Sequence, residues 1–270
     1  MRTQVLAASL AALIGHSMAT AAPPAPPQQA TGPWNVEFAD KMCFLSRPYG
    51  KDLDTHLIFK PAMLGNGLEI IVTRATRSID RPENGKATLS IAGKPSAAVT
   101  YFSAYSTEKL RMLRLWIKED AVSLADIRGS VQIDARSEGR HSFAIGGIEN
   151  ALPVLSKCVE QLRAAYKISD ADLAAIKVKP DADMPSFFWP NDYPKAALRA
   201  GQAGTVGVLL WIDPTGRVAS CEIVETSAAP ILGETTCNIL TRRARYTPAK
   251  DAAGQAVRAP TFARVRWALP

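Results

Sequence analysis

Histidine is nearly missing from this chain. There are three in 270 residues, and one, His16, falls within residues 1–21, leaving His56 and His141. Two separated histidines at strand ends, where solvation explains them, make a thin basis for a metal centre or a proton relay. The local patterns of common enzyme sites are also missing. The chain has no Gly-x-Ser-x-Gly elbow, no His-Glu-x-x-His helix, no phosphate loop and no Gly-x-Gly-x-x-Gly turn. The paired carboxylates Asp52/Asp54 and Asp181/Asp183 lie among turn-forming residues and read as solvated loop groups. No enzyme, cofactor or metal is expected. The 32 Lys and Arg against 25 Asp and Glu are spread along the chain, so no nucleic-acid footprint emerges.

Long apolar runs are lacking too. The N-terminus carries Arg2, a short apolar region from Val5 to Ile14 and the small-residue site Ala19-Thr20-Ala21. The apolar part falls short of the roughly 20 residues that a spanning helix needs. The expectation is a signal peptide over 1–21, cleaved after Ala21, and a protein that is periplasmic and not integral to the membrane. The alternative is an uncleaved anchor in the inner membrane, facing the periplasm. Residues 22–33, with five prolines, read as an extended tether. Twelve residues reach at most about 40 Å, too little to cross a periplasm.

Four cysteines in an exported chain imply two disulfides, with three possible connectivities. Pairing within domains joins Cys43 to Cys158 and Cys221 to Cys237. A zinc site is the rival, but no two cysteines have the close spacing of a zinc knuckle.

Residues 34–168 read as an α+β domain, mostly antiparallel strands with a closing helix. Short apolar runs at 34–45, 57–59, 68–73, 88–91 and 99–105 are separated by the turn formers Asn66-Gly67, Asn84-Gly85 and Gly93. Leu110 to Ile117 alternates as a strand with Arg111 and Arg114 intruding, and 120–127 reads as a short helix. A hairpin over 131–145 follows. Leu152, Leu155, Val159, Leu162 and Tyr166 then recur at spacings of three and four, the stripe of an amphipathic helix. Ser169 with Asp172 caps a further short helix. Residues 169–185 form a linker.

From Trp189 to Pro270 the order is helix, strand, strand, helix, strand. Tyr193-Pro194 opens a short helix. Val206, Val208, Leu210 and Ile212 share one face of a strand, and Asp213-Pro214-Thr215-Gly216 turns into a second strand over 217–225. Pro230 starts a helix that ends at Arg242, Arg243 and Arg245. Ala263, Val265, Trp267 and Leu269 alternate with Arg264 and Arg266 in the last strand. Tyr193-Pro194, Gly204-Thr205-Val206, the hairpin over 212–218, Arg245-Tyr246-Thr247-Pro248-Ala249 and Trp267 fall in the order of the TonB energy-transducer family, whose C-terminal domain this segment resembles. The segment departs from many members at Thr226-Ser227-Ala228-Ala229 and at Leu232-Gly233.

The resemblance implies, for residues 186–270, two helices on a three-stranded antiparallel sheet. It also implies binding of an extended peptide or envelope protein by β-strand addition, with a TonB-dependent outer-membrane transporter as the example. Tyr193, Pro194, Arg258, Arg264 and Arg266 are the candidate partner-binding residues, and the arginines favour an acidic partner. Tyr193 and Trp189 suit packing anchors better than a peptide platform, and the arginines equally suit protection of a sheet edge. Two other readings stay open: a membrane-anchored energy transducer, and a secreted enzyme or enzyme inhibitor that works through residues 34–168.

The signal-peptide reading makes a direct prediction. The mature chain from the periplasmic fraction should begin near Ala22 on N-terminal sequencing. Intact Met1 in the inner-membrane fraction would instead establish an anchor.

Overall fold

A computed structural model of the chain describes residues 26–39, 41–50, 54–65, 67–76, 82–105, 109–118, 122 and 124–269. The signal segment, the start of the tether and Asp52 lie outside the described residues. The fold is α+β, a curved nine-stranded antiparallel sheet followed by a small three-stranded sheet with helices.

The large sheet contains β1 (Asn35–Ala39), β2 (Met42–Tyr49), β3 (Thr55–Pro61), β4 (Gly67–Ala75), β5 (Glu83–Ile91), β6 (Ala97–Tyr105), β7 (Leu110–Lys118), β8 (Gly129–Ala135) and β9 (Gly139–Ile145). Its spatial order is β1-β2-β3-β4-β7-β6-β5-β8-β9. Period-two alternation sends one set of side chains into a shared core: Leu57 and Phe59 from β3, Leu68, Ile70 and Val72 from β4, Leu113, Leu115 and Ile117 from β7, and Ile133 and Phe143 from the closing hairpin. The opposite set includes Lys60, Glu69, Phe102, Arg114 and Trp116.

The tether reading needs correction. Gln28 exchanges backbone hydrogen bonds with Ser142 and Ala144 of β9, while the Thr31 amide donates to Pro48 O in β2. The Tyr49 hydroxyl also donates to Ala144 O, at 2.9 Å. Residues 28–31 thereby link β9, at one edge of the curved sheet, to β2, next to its other edge, and occupy backbone groups that would otherwise be open. Asn84-Gly85 is not a turn but the start of β5. The missing side chain there makes room for the Tyr101 ring, which a Cβ on Gly85 would approach to 2.5 Å. The helix expected over 120–127 is, among described residues, a 3-10 turn at 124–126.

Helix α1 (Leu152–Ala165) packs Leu155, Cys158 and Val159 against the core. Cys158 is bonded to Cys43 of β2. Helix α2 (Asp170–Ala175) starts at Ser169, whose side chain and that of Asp172 form a reciprocal capping box. The linker beyond it is also pinned. Lys177 and Val178 donate to Lys250 O, and Asp181 pairs with Thr247 through both backbone groups.

The last domain holds α3 (Lys195–Arg199), β10 (Gly204–Ile212), β11 (Val218–Thr226), α4 (Pro230–Arg243), the two-residue strands β12 (Ala249–Lys250) and β13 (Ala256–Val257), and β14 (Ala259–Trp267). The sheet order is β11-β10-β14, all antiparallel. Val206, Val208, Leu210 and Ile212 pack under α4 with Leu232, Ile239 and Leu240. Cys221 and Cys237 bond β11 to α4. Among the described residues no helix is long and apolar enough to cross a membrane.

Both disulfides join residues within one domain, but they close loops of unequal length, with sequence separations of 115 and 16 residues. Loop-closure entropy then ranks them. Replacing Cys43 and Cys158 by alanine should cost about 4–5 kcal/mol, and replacing Cys221 and Cys237 about 3 kcal/mol. Urea unfolding of the two double variants tests the order; equal losses would show that loop closure is not what the long bridge supplies.

Candidate functional site

Strand β14 forms one edge of the small sheet. It bonds β10 from Gly204↔Trp267 to Ile212↔Ala259, and no described strand pairs with its other side. Alternate residues of this nine-residue strand therefore turn their N–H and C=O groups to a side without a strand partner. Tyr193, Pro194, Trp189, Arg258, Arg264 and Arg266 take the following places around this strand.

Tyr193 and Pro194 are packing residues. Pro194 caps α3, and the Tyr193 hydroxyl donates to Gln202 O while its ring meets Trp267 edge-on at 5.2 Å. Phe188 approaches the same indole from another side at 6.0 Å. Trp267 in turn donates through Nε1 to Thr236 Oγ1 of α4 at 2.9 Å. A buried indole with its N–H satisfied anchors the end of β14 to the helix. Trp189 is 59% exposed, and the Arg243 guanidinium lies 3.8 Å from its ring centroid. Arg243 also grips Asp192 through two hydrogen bonds of 2.6 and 2.8 Å. The helix-terminal arginine thus holds the start of the domain, and Asp192 is held below the usual carboxylate range by that guanidinium, against its partial burial.

The arginines of β14 do not simply project into solvent. Arg258, just before the strand, stacks on Trp211 of β10 at 3.7 Å. Arg264 turns toward the large domain. Its Nη2 lies 2.9 Å from Glu225 Oε2 of β11 and 3.5 Å from Glu69 Oε2 of β4. Arg114 of β7 bonds Glu69 at 2.6 Å and Glu225 at 3.0 Å, and Lys60 of β3 reaches Glu225 at 3.2 Å. Three cations and two carboxylates meet here, with the Glu69 side chain only 4% exposed. Arg266 stands over Phe102 of β6, 5.6 Å from the ring centroid, and among the described residues it has no carboxylate partner.

An apolar contact backs these charges. Leu209, Trp211 and Val224 form a cluster with Ile168, packed by Met63, Leu64, Tyr166, Leu173 and Phe262. Residues of the large domain, the α1–α2 segment and the small sheet thus bury one another. The sequence contained a signal for this. Leu209 and Trp211 are apolar at positions of β10 that a single-faced sheet leaves polar, and Arg114 interrupts an apolar strand. Lys60, Glu69, Phe102, Trp116 and Glu225 carried no such signal.

Open space remains beside the contact. A cleft of about 450 Å³ lies between Arg264, Arg266 and Thr205 on one side and Asn84, Gly85, Thr100 and Phe102 on the other. A second, of about 590 Å³, runs from Phe102 and Met112 to Ser227 and Leu269. Phe102, Arg114, Thr205 and Arg266 line both.

The histidines lie elsewhere. His56 is half-buried in β3. His141 is not solvated as expected. It is a buried residue of β9, stacked on Phe143, and burial, reinforced by Arg74, lowers its pKa.

Comparison with known families bears on the small domain. Residues 190–269 match the family described as Gram-negative bacterial TonB protein C-terminal. No curated protein and no solved structure matches the chain. The C-terminal segment is therefore a TonB-like module, as its motifs implied, joined to a larger domain outside that match.

Glu225 ties the two domains most directly. Burial opposes its ionisation, but Lys60, Arg264 and Arg114 outweigh that cost and hold the carboxyl at about 2, down from 4.5. A carboxyl depressed on folding stabilises the protein fully above its unfolded pKa, and this support fades as pH falls from about 4.5 toward 2. Glu225→Gln should cost about 2–3 kcal/mol at pH 7 and flatten the acid branch of the stability curve between those values. Thermal melts of both proteins from pH 7 to pH 2.5 test this. Parallel curves would show that the carboxylate does not couple to folding.

Proposed function

We propose that this protein is an exported envelope protein that binds an extended segment of a partner by adding it as a strand to β14, in the setting of TonB-dependent outer-membrane transport. The observation that carries the reading is the edge itself. β14 is a nine-residue antiparallel strand bonded on one side, within a module matching the TonB C-terminal family. An unpaired main-chain row supplies affinity for any extended chain, while the side chains along it select among chains.

The packing of the large domain narrows the choice of surface. The helix-free face of the small sheet is occupied by the apolar contact and the charge cluster, and the other face by α4. The two edges, β14 and β11, are what is left for strand addition. Of these β11 carries the bond from Cys221 to α4 and bulges at two places in its pairing with β10, features that disfavour a regular added strand. The proposal treats the chain as a binding protein and not an enzyme. It assigns the domain of residues 34–168 the task of holding the edge in place, and locates the protein in the periplasm after signal cleavage.

A photo-crosslinking residue placed in cells at Thr261 of β14, with Ser220 of β11 as control, tests this reading. Thr261 should label one envelope protein and Ser220 none. Equal labelling at both edges, or none at Thr261, would refute strand addition at β14.

A further inference from the structure

The edge strand lies beside the large domain, and this limits what it can accept. Arg264 and Arg266 alternate along β14 and so share one face, the face turned toward β6 and β7 of the large domain. Thr205 of β10 sits directly across from Arg266 and lines the same space. Opposite them the large domain offers Asn84, Gly85 and Thr100, small or short side chains that leave a cleft of about 450 Å³. The wall next to the edge therefore belongs to another domain.

We propose that β14 and the outer surface of β5 and β6 together form one composite groove, and that its occupant is an extended segment with acidic residues at every second position. The inference rests on the strand addition proposed above and specifies the chemistry of the partner. A strand added to β14 places alternate side chains on the face occupied by Arg264 and Arg266, directly opposite them at cross-strand distance. The charge balance there is positive. Lys60, Arg114 and Arg264 share the carboxylates Glu69 and Glu225, leaving one cation in excess, and Arg266 adds another with no carboxylate among the described residues. The cluster side chains are partly buried between two domains, so their excess charge is less screened than on an open surface, while Arg266 is exposed to the cleft. The guanidinium of Arg266 is also already steadied over Phe102, which reduces the ordering needed to bind.

The geometry assigns different work to the two arginines. Arg264 is committed to the interdomain cluster and keeps the wall in place. Arg266 is free to pair with one acidic residue of the partner, and the excess charge of the cluster around Arg264 faces the next alternate position. A substitution of Arg264 would disturb the domain contact along with any binding, whereas Arg266→Glu and Thr100→Trp change no residue of the cluster. Thr100 is exposed on β6, and a tryptophan there occupies the cleft from the large-domain side.

The test uses the full mature chain and a library of random linear ten-residue peptides displayed on phage, with thermal melts and sedimentation of each variant. Peptides selected by the unaltered protein should carry Asp or Glu at alternate positions. The best of them should bind Arg266→Glu about tenfold more weakly and Thr100→Trp not measurably, with melting temperatures unchanged. Selection on Arg266→Glu should turn toward Lys and Arg. If peptides are selected but show no alternate acidic positions, or bind Thr100→Trp as well as the unaltered protein, the composite groove is wrong while strand addition survives. If nothing is selected above background, strand addition fails and the groove with it. A concentration-dependent dimer that Thr100→Trp dissolves would identify a second copy of the chain as the occupant, overturning the acidic-segment proposal.

Discussion

The structure depends on covering the second face of a three-stranded sheet. Strand β10 is buried along both sides from Val206 to Ile212, one side beneath α4 and the other against the large domain. A sheet this small, with Leu209 and Trp211 facing away from its helix, cannot leave that face in water without exposing a contiguous apolar patch. The large domain supplies the cover, and the charges around Glu225 fix the relative placement. Apolar burial is non-directional, while the ion cluster accepts few geometries.

That arrangement explains several features that look separate. Glu69 is a carboxylate with a nearly buried side chain on the outer surface of a β-sheet, which is costly unless cations surround it. Lys60, Arg114 and Arg264 do so, from three strands of two sheets. The pinned linker at Val178 and Asp181 belongs to the same design, since a free connection would let the two domains separate. The tie at residues 28–31 acts within the large domain, linking β9 to β2 across its curved sheet. Each strengthens the platform on which β14 is displayed.

An edge displayed in this manner differs from an edge on an isolated module. The side of β14 nearest the large domain is a cleft with walls, and its chemistry comes from residues far apart in sequence: Asn84 and Thr100 with Thr205 and Arg266. Such a groove can discriminate among extended chains by charge and by the size of alternate side chains, which main-chain pairing cannot do.

The sequence by itself determined the local elements. Alternation at Val206, Val208, Leu210 and Ile212, the turn at Asp213-Pro214-Thr215-Gly216, the capping pair Ser169 and Asp172, and the spacing from Leu152 to Tyr166 each act within one turn or strand, where a short window holds the whole cause. The TonB-like order of residues 190–269 was legible for the same reason. It failed at Asn84-Gly85, because the glycine answers to Tyr101 across the sheet and not to a turn. It failed also for the tether, whose bonding partners Pro48, Ser142 and Ala144 are remote in the chain. Arg264 and Arg266 could be placed on one face of a strand, but not set against Glu69, Glu225 or Phe102. Only the tertiary structure decided those pairings. Ion pairs and clefts between domains are made by residues up to 195 positions apart, and no local propensity records which outward faces will meet.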